Sequence, residues 1–142
     1  NQNQSNVWGA FRVAERAVVT VVEDRYNRIS AQHDGYRKFG ITHKRTFEFG
    51  TDIITIVDEV QGNDKCRKEF HLHVYPGLEV TLVDNAIEVS NGISIAFNSN
   101  AEIQVKEYTM ANGYNQYKIG KKIVIPFANT ITTNILMKGR NP

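Results

Sequence analysis

The chain has 142 residues and a mass of 16.1 kDa, enough for one domain whose core needs no disulfide or metal. Its 17 basic and 15 acidic residues leave a net charge of +2, which argues against a dedicated nucleic-acid or polybasic membrane protein. The single cysteine, Cys66, excludes an internal disulfide, and no apolar run approaches the roughly 20 residues of a membrane helix. Because the chain opens without methionine, we expect one domain over residues 1–142 that is part of a longer or processed protein.

In chain order, apolar residues recur with a period of two almost everywhere, which is typical of strands with one buried face. Turn sequences such as Asn91-Gly92 separate the runs. The sequence therefore predicts an all-β fold, an antiparallel multi-strand β-sandwich with little or no helix. Strands are predicted at residues 17–22, 28–33, 41–49, 53–57, 70–75, 78–82, 87–89, 93–97, 103–105, 123–127 and 131–135. The predicted core comprises Val19, Val21, Phe47, Ile54, Ile56, Phe70, Leu72, Val80, Ile95, Phe97, Ile125 and Ile135.

Basic residues are concentrated between residues 25 and 45, where Asp34 is the one acid. Arginine makes planar, bidentate contacts to carboxylate and sulfate, so this basic patch could bind an anionic polysaccharide. The alternative is a pair of strands whose charged face finds its partner acids elsewhere in the chain. The patch consists of Arg25, Arg28, His33, Arg37, Lys38, His43, Lys44 and Arg45.

The segment from His33 to Arg37 holds the groups that β-elimination requires. One group removes the proton next to a uronate carboxyl group, another protonates the leaving oxygen, and a cation neutralises the carboxylate. His33, Tyr36 and Arg37 could supply these parts. The alternative is structural: Asp34-Gly35 is a strong hairpin signal, which His33 and Tyr36 would flank across two strands.

Other polar and aromatic residues carry weaker signals. His71 and His73 share one strand face at a spacing that can bind a metal, with His43 or Asp58 as further ligands, but surface histidines give the same pattern. Exposed aromatic side chains could stack on sugar rings, although such residues more often line a rim or core. The aromatic candidates are Trp8, Tyr75, Tyr108, Tyr114 and Tyr117.

The order of several motifs resembles that of the C-terminal β-domain of the heparinase II/III-like polysaccharide lyases. The resemblance extends over roughly residues 3–137 and is clearest up to Gly77. The motifs are Asn3-Gln4, Trp8-Gly9-x-Phe11-Arg12-Val13, His33-Asp34-Gly35-Tyr36-Arg37, Thr42-His43-Lys44-Arg45-Thr46, Ile54 to Val60 with Gly62, and Phe70-His71-Leu72-His73 with Pro76-Gly77.

The resemblance implies a supersandwich-like domain that packs on an N-terminal α/α toroid and lines the cleft of a bacterial periplasmic or cell-envelope lyase. Such lyases cut uronate-containing polysaccharides by β-elimination. The family's principal catalytic residues, and its metal ligands for what we expect to be zinc, lie upstream of this chain's motifs, so none is carried over. We therefore expect no catalytic or metal residue here, no cofactor in this fragment, no nucleic-acid partner and no membrane insertion. The candidate substrate-binding residues are His33, Tyr36, Arg37, His43 and Arg45.

Three other functions remain open at this point, and the first of them is a purely structural or adhesive sandwich with no affinity for sugars. A free-standing carbohydrate-binding module would present an aromatic platform and bind polysaccharide without a partner domain. A small self-sufficient lyase would use His33 and Tyr36, and would lose activity in a Tyr36→Phe variant.

Overall fold

The computed structural model describes residues 6–7, 13–14 and 16–137, and for residues 6–7 and 13–14 it describes the backbone alone. Trp8, the Asn3-Gln4 motif and residues 138–142 lie outside the described residues. Within them the all-β prediction is confirmed, and the helical content is one 3-10 turn, Arg37–Phe39. The strands are β1 Asn6–Val7, β2 Val13–Ala14, β3 Val19–Arg25, β4 Arg28–His33, β5 Ile41–Phe49, β6 Ile53–Gly62, β7 Lys68–His73, β8 Val80–Val83, β9 Ala86–Val89, β10 Ile93–Phe97, β11 Gln104–Gly113, β12 Gln116–Phe127 and β13 Thr130–Met137.

Two antiparallel sheets form the sandwich. Eight strands make the larger sheet in the order β3-β4-β5-β6-β13-β10-β9-β8, three make the smaller sheet in the order β11-β12-β7, and β1 pairs with β2 separately. The β11–β12 hairpin is longer than the sequence predicted. Its turn is Tyr114-Asn115, because Gly113 still pairs with Gln116 after a bulge.

The core lies between the smaller sheet and the β6-β13-β10-β9-β8 half of the larger one. Phe70 of β7 contacts Phe97 of β10 edge-to-face, and the rows on either side of this contact are apolar. Burial of these rows supplies most of the favourable free energy of folding. The buried cluster comprises Phe70, Val74, Ile87, Val89, Ile95, Phe97, Ile103, Ile123, Ile125 and Ile131.

The predicted core is correct for the C-terminal strands and wrong for β3. Val19 and Val21 are 64% and 61% exposed. They point to the inner side of the larger sheet, but β3 is its edge strand and the three-stranded sheet covers the opposite half. Sequence alternation identifies the inner side of a strand without showing whether a second layer covers it.

The uncovered part of that inner side is called the open half-face. It is formed by β3, β4 and β5, and its register brings apolar residues from all three strands together. Their exposure is unusual for large apolar side chains that are adjacent rather than scattered. The exposed apolar residues of the open half-face are Val19, Val21, Ile29 and Phe49.

Candidate functional site

The structure brings all five predicted substrate-binding residues together, on β4, β5 and the connection between them. His33 of β4 lies directly opposite His43 of β5, and Arg45 follows on the same face of β5. Asp58 of β6 lies opposite Arg45. The β4–β5 connection is not the tight hairpin of the structural alternative, since it runs through residues 34–40 and contains the 3-10 turn.

Hydrogen bonds join the two histidines to the buried aspartate. Gly35 N–H lies 3.2 Å from His33 Nδ1, His33 Nε2 lies 3.0 Å from His43 Nδ1, and His43 Nε2 lies 2.6 Å from Asp58 Oδ1. A backbone N–H can only donate, so His33 Nδ1 accepts and His33 Nε2 carries the proton of the neutral ring. His43 Nδ1 then accepts that proton's hydrogen bond, and His43 Nε2 donates to Asp58. Every ring nitrogen therefore has a partner when both rings are neutral.

Asp58 is the electrostatic centre of this network, since it is 1% exposed and ionised. Arg45 donates to both carboxylate oxygens, from Nε at 2.7 Å and from Nη2 at 3.0 Å. Burial alone would raise the pKa of Asp58, but the hydrogen bonds from His43 and Arg45, with the charge on Arg45, outweigh it and hold the pKa below its ordinary value. Both Arg45 and His43 are therefore hydrogen-bonded to an acid of the same chain.

His33 connects this network to the loop. Its ring lies 5.4 Å from the ring of Tyr36 and 5.0 Å from that of His43. Partial burial lowers the pKa of His33, the neighbouring His43 adds to the shift, and Asp34 opposes it. His33 is therefore neutral at pH 7, as the hydrogen-bond pattern requires.

Arg37 and Asp34 hold the loop against the start of β3. Asp34 Oδ1 accepts a 2.7 Å hydrogen bond from Val18 N–H, while Arg37 Nη1 donates to Asp34 Oδ2 at 3.1 Å. The bond from Val18 is the main reason that the pKa of Asp34 is lowered, and Arg37 contributes further. Arg37 thus also has an acid partner within the chain.

The predicted basic patch is divided by the sheet. His33, His43 and Arg45 lie on the inner side, whereas Arg28 and Lys44 lie on the outer side, because successive residues alternate between faces. On the outer side Arg28 pairs with Glu23 and Glu48, and Lys44 pairs with Glu59 at 2.7 Å. These acids come from elsewhere in the chain, as the alternative interpretation requires. Binding of an anionic polysaccharide by the patch stays a prediction.

The weaker candidates are placed apart from this network. His71 and His73 lie on the smaller sheet, where His71 contacts Glu69 and His73 packs edge-to-face on Tyr108. His43 and Asp58 lie in the larger sheet and bond to each other. Among residues 16–137, no group of three His, Cys, Asp or Glu side chains could hold a metal ion, so this part of the chain offers zinc no ligand set.

The sequence analysis missed the importance of three buried polar residues. The motif and the metal-ligand pattern do not reveal the role of Asp58, although an acid within an apolar strand is itself a signal of a buried ion pair. Ser30 and Thr46 were not singled out. They are buried side by side, with their hydroxyl oxygens 3.0 Å apart, and nothing in the sequence distinguished them from surface residues.

Residues 1–138 match the protein-family model described as "Heparinase II/III-like, C-terminal". The chain belongs to this family. A search of curated proteins found no match. In the described part of this heparinase II/III-like domain, no helix has the length and apolar character needed to cross a membrane.

Solved structures show the same fold. The domain matches the heparan sulfate lyase HepC from Pedobacter heparinus with a TM-score of 0.69 and 12% identity, over 89% of this chain and 22% of that one. It matches a heparinase III, the BT4657 gene product, with a TM-score of 0.67 and 15% identity, over 85% and 21% of the two chains. A further heparinase III gives 0.64 and 18%, over 83% and 21%. The chain therefore spans about a fifth of the length of the solved structures that it matches.

Proposed function

We propose that this heparinase II/III-like domain is the non-catalytic C-terminal β-sandwich of a larger polysaccharide lyase, which cleaves uronate-containing polysaccharides by β-elimination. The family match over residues 1–138 is the observation that carries the proposal. The solved structures of the same fold, which are named as heparan sulfate lyases or heparinases, are more than four times as long as the matched part. A free-standing carbohydrate-binding module is not favoured by these comparisons.

The role of the domain in the larger protein is to pack against an N-terminal α/α toroid and complete one wall of its cleft. The open half-face supports this proposal, since Val19, Val21, Ile29 and Phe49 expose adjacent apolar side chains on a sheet face that the smaller sheet leaves uncovered. Burial of such a face against a second domain of the same protein is favourable at roughly 25 cal/mol per Å² of apolar surface. His33, His43 and Arg45 lie on this face, and Tyr36 and Arg37 lie in the loop beside it, which would place them near the polysaccharide.

The network supports a binding or scaffolding role for these residues rather than catalysis. A general base needs a free ring nitrogen or carboxylate within reach of the proton that it removes. Both rings of His33 and His43 are fully hydrogen-bonded, and Asp58 is buried beneath Arg45. Catalytic residues, any zinc ion and the signal for localisation to the periplasm or cell envelope would belong to the rest of the larger protein.

The test is to incubate the purified chain with heparan sulfate, alginate and pectic acid and to follow the ultraviolet absorbance of unsaturated uronates. We expect no absorbance increase under conditions in which an authentic heparan sulfate lyase produces one. An increase that Tyr36→Phe abolishes would contradict the proposal and identify the chain as a self-sufficient lyase.

A further inference from the structure

The outer side of the smaller sheet carries a second positive surface, which the sequence did not single out. Phe70, Leu72, Ile123 and Ile125 point into the core, so the residues between them point outward. One outward row across the sheet is Lys106–Lys122–His73, from β11 through β12 to β7. The residues of this lysine face are His71, His73, Lys106, Tyr108, Lys118 and Lys122.

The lysines of this face lack the acid partners that neutralise the basic patch. Among the described residues, Lys106, Lys118 and Lys122 form no ion pair, whereas the neighbouring Lys121, on the other side of β12, pairs with Glu107 at 2.9 Å. Glu69 is the one carboxylate on the outward positions of these three strands; Arg67 and His71 contact it, and the charge of Lys106 contributes to lowering its pKa, after the larger effect of the hydrogen bond from His71. The lysine face therefore has a net positive charge that one carboxylate does not balance within the part of the chain that the structure describes.

The strand register places like charges opposite each other, which destabilises the isolated domain. Lys106 and Lys122 are direct cross-strand partners, and His73 is the next partner of Lys122. Like charges placed directly opposite on antiparallel strands destabilise the pair. The charge of Lys122 also contributes to lowering the pKa of His73, after the larger effect of burial. A bound polyanion would relieve this repulsion.

An aromatic ring lies beside the row of lysines. Tyr108 crosses β12 above Gly120 and donates a 3.0 Å hydrogen bond to the carbonyl of Val74. A Cβ atom at position 120 would lie 2.6 Å from Tyr108 Cε1, so glycine is what allows the ring to lie there. His73 packs edge-to-face on the same ring at 4.7 Å. The ring is thus held in place and partly buried, with an apolar surface next to cations.

We propose that the lysine face binds a sulfated or carboxylated polysaccharide, through its lysines and the ring of Tyr108. This inference rests on the proposed function for the class of ligand, and it adds a binding surface distinct from residues 25–45. Separated cations along a flat sheet face suit an extended polyanion better than a small anion, which requires convergent donors. Lys118 and Lys122 are four residues apart on one strand, a separation of about 13 Å.

The experiment measures binding of a size-defined heparan sulfate oligosaccharide by isothermal titration calorimetry, at low and high salt. We expect salt-sensitive binding by the purified chain, because exposed charges are screened at high ionic strength. The double variant Lys106→Gln/Lys122→Gln should bind about five- to tenfold more weakly, as expected for the loss of two exposed charge contacts. Its thermal unfolding should not be impaired, since the substitutions remove a repulsion.

The matched control is Lys68→Gln/Lys121→Gln, which removes the same charge from lysines outside the basic patch that pair with Asp64 and Glu107. We expect this control to bind like the unaltered chain. Absence of binding by the unaltered chain, equal losses in both double variants, or loss of binding in Arg37→Gln alone would each overturn the inference. These outcomes can be distinguished from a failure of the proposed function. That failure would appear as the formation of unsaturated uronate in the absorbance assay, whether or not the chain binds the oligosaccharide.

Discussion

At the scale of single residues, Asp58 shows how the candidate site and the stability of the fold are coupled. The side chain of Asp58 is buried and that of Arg45 is 41% exposed. Loss of the arginine would therefore leave a buried carboxylate with His43 as its remaining side-chain partner. Removal of one member of a buried ion pair is far more costly than removal of an exposed pair.

We therefore expect Arg45→Met to lower the free energy of unfolding by about 3 kcal/mol, because it leaves the Asp58 carboxylate undercompensated. Urea unfolding followed by circular dichroism measures the change, as a lower midpoint at unchanged slope. The control is Arg28→Met, whose guanidinium pairs with Glu23 and Glu48 at the surface and which should cost about 1 kcal/mol or less. An equal decrease in the free energy of unfolding in the two variants would show that the pair of Arg45 with the buried Asp58 contributes no more than a surface pair.

His33 predicts a pH dependence with a defined sign. Its pKa is lowered in the folded state, so below about 6.5 the unfolded chain binds more protons at this position than the folded chain does. This difference in proton binding lowers the free energy of unfolding. The loss is absent well above pH 6.5, grows as the pH falls below that value, and is complete below the pKa of His33 in the folded state. Asp58 acts in a lower window, because its stabilising contribution is lost as the pH falls through its depressed pKa.

We expect the free energy of unfolding to decrease between pH 7 and pH 5, and His33→Gln to flatten this decrease. Urea unfolding at several pH values measures the slope, and a proton NMR titration of the ring assigns the pKa. Parallel profiles for the variant and the unaltered chain would contradict this account of the network.

At the scale of elements, the junction of β5 and β6 depends on two backbones that pass very close together. Gly62 ends β6 at a φ of +116°, opposite Ile41 at the start of β5. A Cβ atom at position 62 would lie 1.9 Å from the carbonyl oxygen of Gly40, the residue that ends the 3-10 turn. The loop that carries Tyr36 and Arg37 is therefore held in place by a contact that only glycine permits.

We expect Gly62→Ala to destabilise the domain by about 2–5 kcal/mol, the sum of a left-handed backbone penalty and an overpacking term. Gly77→Ala is the control, since its φ is +97° but no atom lies within 4 Å of the added Cβ. It should show the backbone penalty alone, about 1–2 kcal/mol. Thermal unfolding of both variants tests the difference, and equal melting temperatures would refute the role of the close contact.

At the scale of the whole molecule, stability comes from one half of the sandwich. Phe70 is 5% exposed and contacts Phe97 across the two sheets, whereas Phe49 is 43% exposed on the open half-face. The two phenylalanines have the same chemistry, and both point to the inner side of their sheets. The presence of a second layer over Phe70 is what separates them.

Phe70→Ala should cost about 3–5 kcal/mol, because it removes a buried aromatic side chain and leaves a cavity between the sheets. Phe49→Ala should cost about 1 kcal/mol or less, because water already reaches the ring. Chemical unfolding of the two variants measures both values. A large loss for Phe49→Ala would show that the open half-face is covered in the isolated chain.

The sequence by itself determined the all-β fold class, the location of most strands and five of the residues that meet at the candidate site. Alternation with a period of two is a local property, so β5 and β7 could be predicted from their own residues. His33 of the first motif and His43 of the second lie ten residues apart, and antiparallel pairing of neighbouring strands was enough to bring them together.

The tertiary structure decided which positions are buried and which charges are compensated. Val19 and Val21 have the pattern of core residues but lie at a sheet edge, outside the area that the smaller sheet covers. Asp58 neutralises Arg45 because β6 pairs with β5 in one particular register, while Lys106 and Lys122 form no ion pair with any described residue because β12 brings a second lysine, and no acid, beside the first. Burial and ion pairing depend on contacts between strands and between sheets, and these are set by register and layer packing rather than by the residues of any one strand.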